Sequence, residues 1–449
     1  MKIGKGKREV DYSHIYIDLD SNEESDIVTN NIEDERAQAF IKLHDLLYGG
    51  FAILASFPEK YHKKLDEYKE RIQSYQFSII VIKEAPIDIA TEIFTRINEG
   101  GKTLSVFEIM VAKTYDHELK FDLAEKYSEL KETLRQINYE TIPSSTVLQI
   151  VSLILKKECP KKTILKLNKR DIIKNWEDIT DSIERAADYF KSTYRIPVSQ
   201  LLPYNALLIP FAYFFYYHKD KPTGVNKKYL EDYFWRSTLS SRFSHSLEGK
   251  LANDIKKIEK ILDGDRPKYD YRIDISPENI KLKGDFKASN SFIKGILCIL
   301  AYQEPKSFND NSKVNIGNDW LKQSNSRNYH HFFPKAYLKK NLQIEDKEYY
   351  INHICNITIV DDFLNKRKIG AKAPSVYMKE FDKENSELKQ TMDTHLIGDF
   401  NKFGIWNDDY LAFFDSRLNR ICKELKKRIL PIEEDKIKKF EVEQTEKRS

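Results

Sequence analysis

From about Ser105 to Lys260 the sequence reads as almost wholly helical, and this stretch sets the fold class. The predicted segments are 105–119, 124–136, 144–157, 179–191, 203–218, 228–243 and 246–260, joined by short polar links, some with Pro or Gly. Successive amphipathic helices can bury their apolar stripes only on one another or on a neighbouring sheet. The strand signals that exist lie at the two ends of the chain, so the expectation is an α+β, predominantly helical protein. Ser105 with Glu108 three residues later has capping-box spacing and marks where the helical region opens.

Before that point, His14 to Leu19 alternates with period two and reads as a strand, followed by the acidic loop Asp20 to Asp26. Nothing upstream can pair with such a strand, so later strands must do so, or the chain is a shortened version of a larger architecture. Asp34 to Leu47 reads as a helix stopped at Gly49-Gly50. Pro58 to Tyr75 reads as a solvated helix, Phe77 to Ile82 as a β-branched strand, and Ile87 to Ile97 as a helix ending near Gly100-Gly101. After the helical region, residues 262–290 are a charged, Pro-punctuated excursion or connector, and 290–302 is an apolar helix. Residues 303–328, rich in Asn, Ser, Lys and Asp, read as a domain boundary. The expected divisions are therefore 1–105, 106–302, 303–430 and a charged tail at 431–449.

Composition excludes several classes. The chain has 449 residues, with 74 basic against 70 acidic side chains and a net charge of +4, which permits a nucleic-acid partner without arguing for one. Cys159, Cys298, Cys355 and Cys422 lie far apart, giving neither a disulfide framework nor a thiolate zinc site. Leu201 to Tyr217 is the most apolar stretch, but Pro203, Asn205 and Pro210 interrupt it and it is short for a membrane span. No secretion signal is read at the start, and a reducing, cytoplasmic setting is expected. The 25 Phe and 26 Tyr are read mainly as core packing.

Chemistry concentrates near the C-terminus. Asn328-Tyr329-His330-His331-Phe332-Phe333-Pro334-Lys335 is followed by Asn352-His353-Ile354-Cys355-Asn356 and then by Asn365-Lys366-Arg367-Lys368-Ile369-Gly370. The pattern reads as a strand bearing the histidines, a loop with a helical turn, a second strand at 356–360 and a helix opening near 363. Such a ββα unit suits phosphodiester hydrolysis. One divalent ion neutralises charge on the phosphate, and a neutral imidazole takes a proton from water near pH 7. Adjacent strand residues point to opposite faces, so His330 and His331 serve one site only if the backbone bends or the ion lies at the strand's end. Lys335, Lys339, Lys340, Lys366, Arg367 and Lys368 would line a phosphate path. His353 matches no motif position and reads as structural.

These residues resemble the His-Asn-His nuclease domain at the C-terminus of GmrSD-type restriction endonucleases. The resemblance makes His331 the general base and places His330 where an acidic metal ligand often stands. It makes Asn365 the second metal ligand and Asn356 the middle asparagine that holds the base-bearing loop. Lys335, Lys366, Arg367 and Lys368 become phosphate contacts. It implies a ββα-metal nuclease embedded in helices, using magnesium or manganese, with nickel also suited to a histidine ligand. Double-stranded DNA is the implied substrate, cut in restriction of foreign or modified DNA, and self-association as a dimer is compatible with a double-strand break.

Phe94-Thr95-Arg96-Ile97-Asn98-Glu99-Gly100-Gly101 resembles the ParB-like N-terminal domain of the same enzymes, where nucleotide controls cleavage. Arg96, Asn98, Gly100 and Gly101 are the corresponding regulatory or nucleotide-site residues; the glycines alone are equally well read as a structural turn. Tyr233 to Ser244 resembles the helical end of that region, with Arg236 and Arg242 expected to bridge domains or touch nucleic acid and Trp235 to pack. The family's Asp-Gly-Gln-Gln-Arg-like box is absent. Three explanations stand open: a missing start, a partner chain that carries the box, or lost nucleotide use. Autonomous NTPase activity is not assigned. The alternative to an endonuclease is a non-catalytic nucleic-acid-binding or nucleotide-sensing subunit of a defence complex.

Overall fold

A computed structural model describes residues 15–21, 27–29, 38–76, 89, 104–318, 329–360, 368–432 and 435. The chain divides into two compact units, Met1–Ala85 and Pro86–Ser449.

In the first unit, β1 (Tyr16–Asp18) is the central strand of an antiparallel sheet, with β2 (Val28–Thr29) on one side and β3 (Phe40–Lys42) on the other. Ile17 stands opposite both Val28 and Ile41. The strand therefore has partners on both edges, supplied by later segments. Phe40–Lys42 lies inside the stretch read as a helix over 34–47; the helix α1 (Leu43–Tyr48) begins only after it. Local helical spacing yields here to pairing, because Ile41 and Ile17 close over the same small core as Leu19, Leu46 and Leu65. After α2 (Gly50–Ala55), α3 (Glu59–Gln73) covers that core with Tyr61 and Leu65 and matches its sequence reading.

The second unit is a helical mass around one continuous core. In chain order it contains α4 (Val106–Thr114), α5 (Leu123–Arg135), α6 (Ser144–Lys156), α7 (Lys161–Ile164), α8 (Lys169–Ser192), α9 (Leu208–Tyr217), α10 (Gly224–Leu239), α11 (Leu247–Leu262), α12 (Pro277–Lys283) and α13 (Ser291–Tyr302). The Ser105 hydroxyl accepts the Glu108 N–H while the Glu108 carboxylate accepts the Ser105 N–H, so the capping box forms as read. α8 starts ten residues earlier than its sequence reading; charged residues dilute its first turns, but the Asn168 side chain caps it at Arg170 N–H and Asp171 N–H. Pro210 falls in the first turn of α9, where no intrahelical donor is missed. Phe190, Tyr194, Phe211 and Phe234 pack ring on ring at its centre, the closest centroids 4.7 Å apart.

Residues 303–318, expected as a boundary, send Phe308, Val314 and Ile316 into this same core. Asn318 donates to the Asn138 carbonyl at 2.8 Å and accepts from Gln200 N–H at 3.1 Å. The C-terminal part adds β4 (Tyr329–His331), α14 (Lys335–Asn341), α15 (Lys347–Ile351), β5 (Ile357–Ile359), α16 (Pro374–Glu384), α17 (Leu388–Asp393) and α18 (Tyr410–Lys426). The fold is mixed α+β and predominantly helical, with small antiparallel sheets. Among the described residues, no helix is long and apolar enough to cross a membrane. The four cysteines are buried and free, in keeping with their spacing.

Candidate functional site

β4 and β5 pair antiparallel, with Tyr329 opposite Ile359, His330 opposite Thr358 and His331 opposite Ile357. The ladder is regular, so neighbouring side chains alternate between faces. Tyr329 and His331 share the face that meets the Phe286 ring, at 5.2 and 6.4 Å between centroids. His330 takes the other face. The pairing does not bring the two imidazoles onto one face.

His330 is 3% exposed, with Nδ1 3.4 Å from the Thr358 hydroxyl. Burial first, then the neighbouring His331 and His395, push its pKa down to about 3. His331 is half-buried, with Nε2 3.3 Å from Asn352 Oδ1. Burial and then the Lys335 charge lower it to about 4, against a smaller upward pull from the Asn352 contact. Both rings are therefore neutral near pH 7.

The loop after β4 is held by Asn356, fully buried. Its Oδ1 accepts the Phe333 N–H at 2.8 Å, and its Nδ2 donates to the Phe333 carbonyl at 3.0 Å and the Ile351 carbonyl at 3.1 Å. A side chain so fully engaged positions the loop and leaves nothing for a substrate. From behind, Arg417 on α18 donates to the Cys355 carbonyl at 2.8 Å and the His395 carbonyl at 3.1 Å. His353 is buried between Phe414 and Tyr349, and its Nδ1 accepts the Cys355 N–H at 3.1 Å. That is the structural role its sequence position suggested.

A third segment joins from the stretch read as a connector. Gly284 to Phe286 runs beside Asn352 to Ile354. Phe286 N–H donates to the Asn352 carbonyl and Ile354 N–H to the Gly284 carbonyl, both at 2.8 Å. This places the Asp285 carboxylate 3.1 Å from Asn352 Nδ2 and 3.0 Å from Lys287 Nζ. Burial pushes the Asp285 pKa up, but the hydrogen bonds from Lys287 and Asn352 outweigh it and hold it below the usual carboxylate range. Sequence reasoning assigned no role to Asp285, Phe286, Asn352 or Arg417. The only local signal was Asn352 lying within the polar stretch; pairing across 67 positions leaves no local trace.

Lys335 opens α14 beside His331 and is exposed. Lys368, read as a phosphate contact, is engaged with Asn309 Oδ1 and the Glu384 carboxylate, each at 2.5 Å. Asn365, Lys366 and Arg367 lie outside the described residues, as do Arg96, Asn98, Gly100 and Gly101. Among the described residues no group of three or more His, Cys, Asp or Glu could hold a metal ion. Arg236 and Arg242 do not face a nucleic acid: both are buried, Arg236 against Asp232 and Asp435 and Arg242 against Asp254 and Asp270. Arg236 also donates to the Leu430 carbonyl and so ties α10 to the segment beyond α18. Trp235 packs in the core, as read.

No family model matches the chain. It is 26% identical over 386 residues to the uncharacterized protein MJ0686 of Methanocaldococcus jannaschii, a match that takes 76% of this chain and 61% of that protein. The chain thus spans less than two thirds of that relative.

Proposed function

We propose that this protein is a divalent-metal-dependent DNA endonuclease that hydrolyses phosphodiester bonds, with His331 as the base that activates water. The observation that supports it is one ring: His331 is partly buried, placed on a two-stranded ladder and followed by a loop that Asn356 clamps. An imidazole free of charge at neutral pH can accept a proton from water, and one buried on one side keeps its orientation. Lys335 next to it supplies positive charge for a phosphate oxygen.

A metal would be held by His330 and Asn365 in this reading. Of these, His330 offers a neutral nitrogen within a buried setting, and the described residues alone do not complete a donor set. When bound, such an ion neutralises charge on the phosphate and its leaving oxygen. The service in restriction, with double-stranded DNA as substrate and a second copy or a nucleotide-binding chain as partner, belongs to the same proposal and rests on the motif resemblance.

A second reading, a nucleic-acid-binding subunit without catalysis, has one observation in its favour: His330 faces Thr358 and the interior rather than the face of His331. Cleavage of supercoiled plasmid by the full chain separates the two, with magnesium, manganese or nickel and with chelator, for modified and unmodified DNA. The endonuclease reading expects metal-dependent nicking that chelation stops and that folded His331→Ala loses by about a hundredfold or more. A His331→Ala variant that melts like the parent and cuts as fast removes the base assignment. Binding without cleavage under every metal favours the second reading.

A further inference from the structure

We infer that Asn352, anchored by Asp285 and by the Phe286 backbone, is a positioning residue that keeps the proton of His331 on Nε2 and leaves Nδ1 as the nitrogen that accepts a proton. The inference rests on the endonuclease reading for its purpose, but its geometry does not.

The argument starts from the Asn352 amide. Its Nδ2 has two partners, Asp285 Oδ1 and the Phe286 carbonyl, both at 3.1 Å. An ionised carboxylate and a carbonyl only accept hydrogen bonds. Turning the amide over would set its oxygen against two others, so the chemistry of the partners fixes which end is which. Oδ1 must then face His331 Nε2 at 3.3 Å, and an amide oxygen can only accept. In its neutral form the ring carries one proton, and facing an oxygen that only accepts, that proton belongs on Nε2. The lone pair is left on Nδ1.

The frame is stiff where it needs to be. The Asn352 carbonyl holds the Phe286 N–H, while its side chain holds the Phe286 carbonyl and the neighbouring Asp285, so one residue grips the segment at both levels. Phe286 closes edge-on against His331. The charged and titratable groups around the ring are Lys335 from α14, Asp285 and Lys287 from the segment before α13, and Tyr329 and His330 from its own strand. Asp285 does not reach the imidazole directly; Asn352 stands between them. The carboxylate therefore orients the ring through a neutral amide without the large upward pull that direct contact would exert on its basicity. In the reaction, Nδ1 takes a proton from water as the water oxygen bonds to phosphorus. The leaving oxygen departs with the electron pair of its P–O bond, and the proton passes from Nδ1 to solvent.

The test is nitrogen NMR of full-length protein labelled with 15N-histidine, His331 being assigned from its absence in His331→Ala. At pH 7 the parent should show a protonated Nε2 and a bare Nδ1; a proton on Nδ1 overturns the inference whatever the protein does to DNA. In folded Asn352→Ala, which removes the acceptor facing Nε2, the Nδ1-protonated tautomer should appear beside the other; an unchanged tautomer overturns the inference. Asn352→Ala should lower kcat at least tenfold with little change in KM; unchanged kcat overturns it. If the parent cuts no DNA under any metal, the endonuclease reading fails, and the tautomer still decides the role of Asn352.

Discussion

Asn356 grips both backbone groups of Phe333, accepting its N–H at 2.8 Å and donating to its carbonyl at 3.0 Å. One carboxamide thereby fixes the turn that follows His331, and a further bond to the Ile351 carbonyl joins the turn to the end of α15. Asn356→Ala leaves one buried donor and two buried acceptors without partners. The expected cost is about 2–4 kcal/mol. Asn356→Asp should be as costly, because an oxygen then faces both carbonyls. Urea denaturation of the three proteins checks this; an Asp variant close to the parent would show that the two carbonyl contacts contribute little.

Gly284 and His353 form a lock of a different kind. A Cβ on residue 284 would lie 1.9 Å from His353 Nε2, an impossible approach. Gly284→Ala should therefore destabilise the protein by about 1–3 kcal/mol and displace the segment carrying Asp285. Adding His353→Ala removes the obstacle, so the double variant should be more stable than the sum of the single effects. Additive losses in that cycle would mean the glycine matters for its backbone rather than for the room it leaves.

Arg417 is fully buried, yet its named partners are the carbonyls of Cys355 and His395 rather than a carboxylate. Burial pushes its pKa down to about 10. A cation so placed is costly, and its planar fork offsets part of that cost by meeting two acceptors at once. Arg417→Lys should keep the charge but reach one carbonyl, destabilising by about 1–3 kcal/mol. Hydrogen exchange at the Asn356 and Phe333 amides should quicken in the variant, because Cys355 precedes the clamp. Unchanged protection there would confine the role of Arg417 to α18.

What the sequence disclosed and what it hid follow from range. Ser105 and Glu108 are three residues apart, so their capping box was legible, and α3 showed its own periodicity. The ladder of β4 and β5 was legible from a His-bearing strand and a β-branched one, whereas a loop-holding role for Asn356 came only with the motif resemblance. The strand at Phe40–Lys42 was not, since its identity is set by Ile17 across the sheet. Nor was Asp285, 67 positions from the asparagine it anchors, in a segment whose charge and proline suggested only a connector. Alternation along β4 was foreseen, but that it would remain unbroken and bury His330 depended on the packing of Thr358 and His395.

That burial has a consequence for acid stability. His330 and His395 are pushed down to about 3, and His331 and His353 to about 4, from an ordinary value near 6.5, with burial the leading cause in each. Above pH 6.5 neither the folded nor the unfolded chain protonates these rings, and they take nothing from stability. Below it the unfolded chain gains protons that the folded chain refuses, so stability falls as pH drops toward the folded values. Each histidine costs as much as about 1.4 kcal/mol per pH unit over that window, or about 2 kcal/mol by pH 5. The four together approach the whole stability of an ordinary domain, about 5–15 kcal/mol. The urea midpoint should be nearly level from pH 8 to 7 and fall steeply from 6.5 to 5. His395→Gln, which can still donate to the Lys306 carbonyl that His395 meets at 2.7 Å, should make that fall shallower by about one ring's share. A midpoint indifferent to pH between 7 and 5 would mean that these imidazoles are hydrated in solution, and with that the enclosed setting of His330 would go.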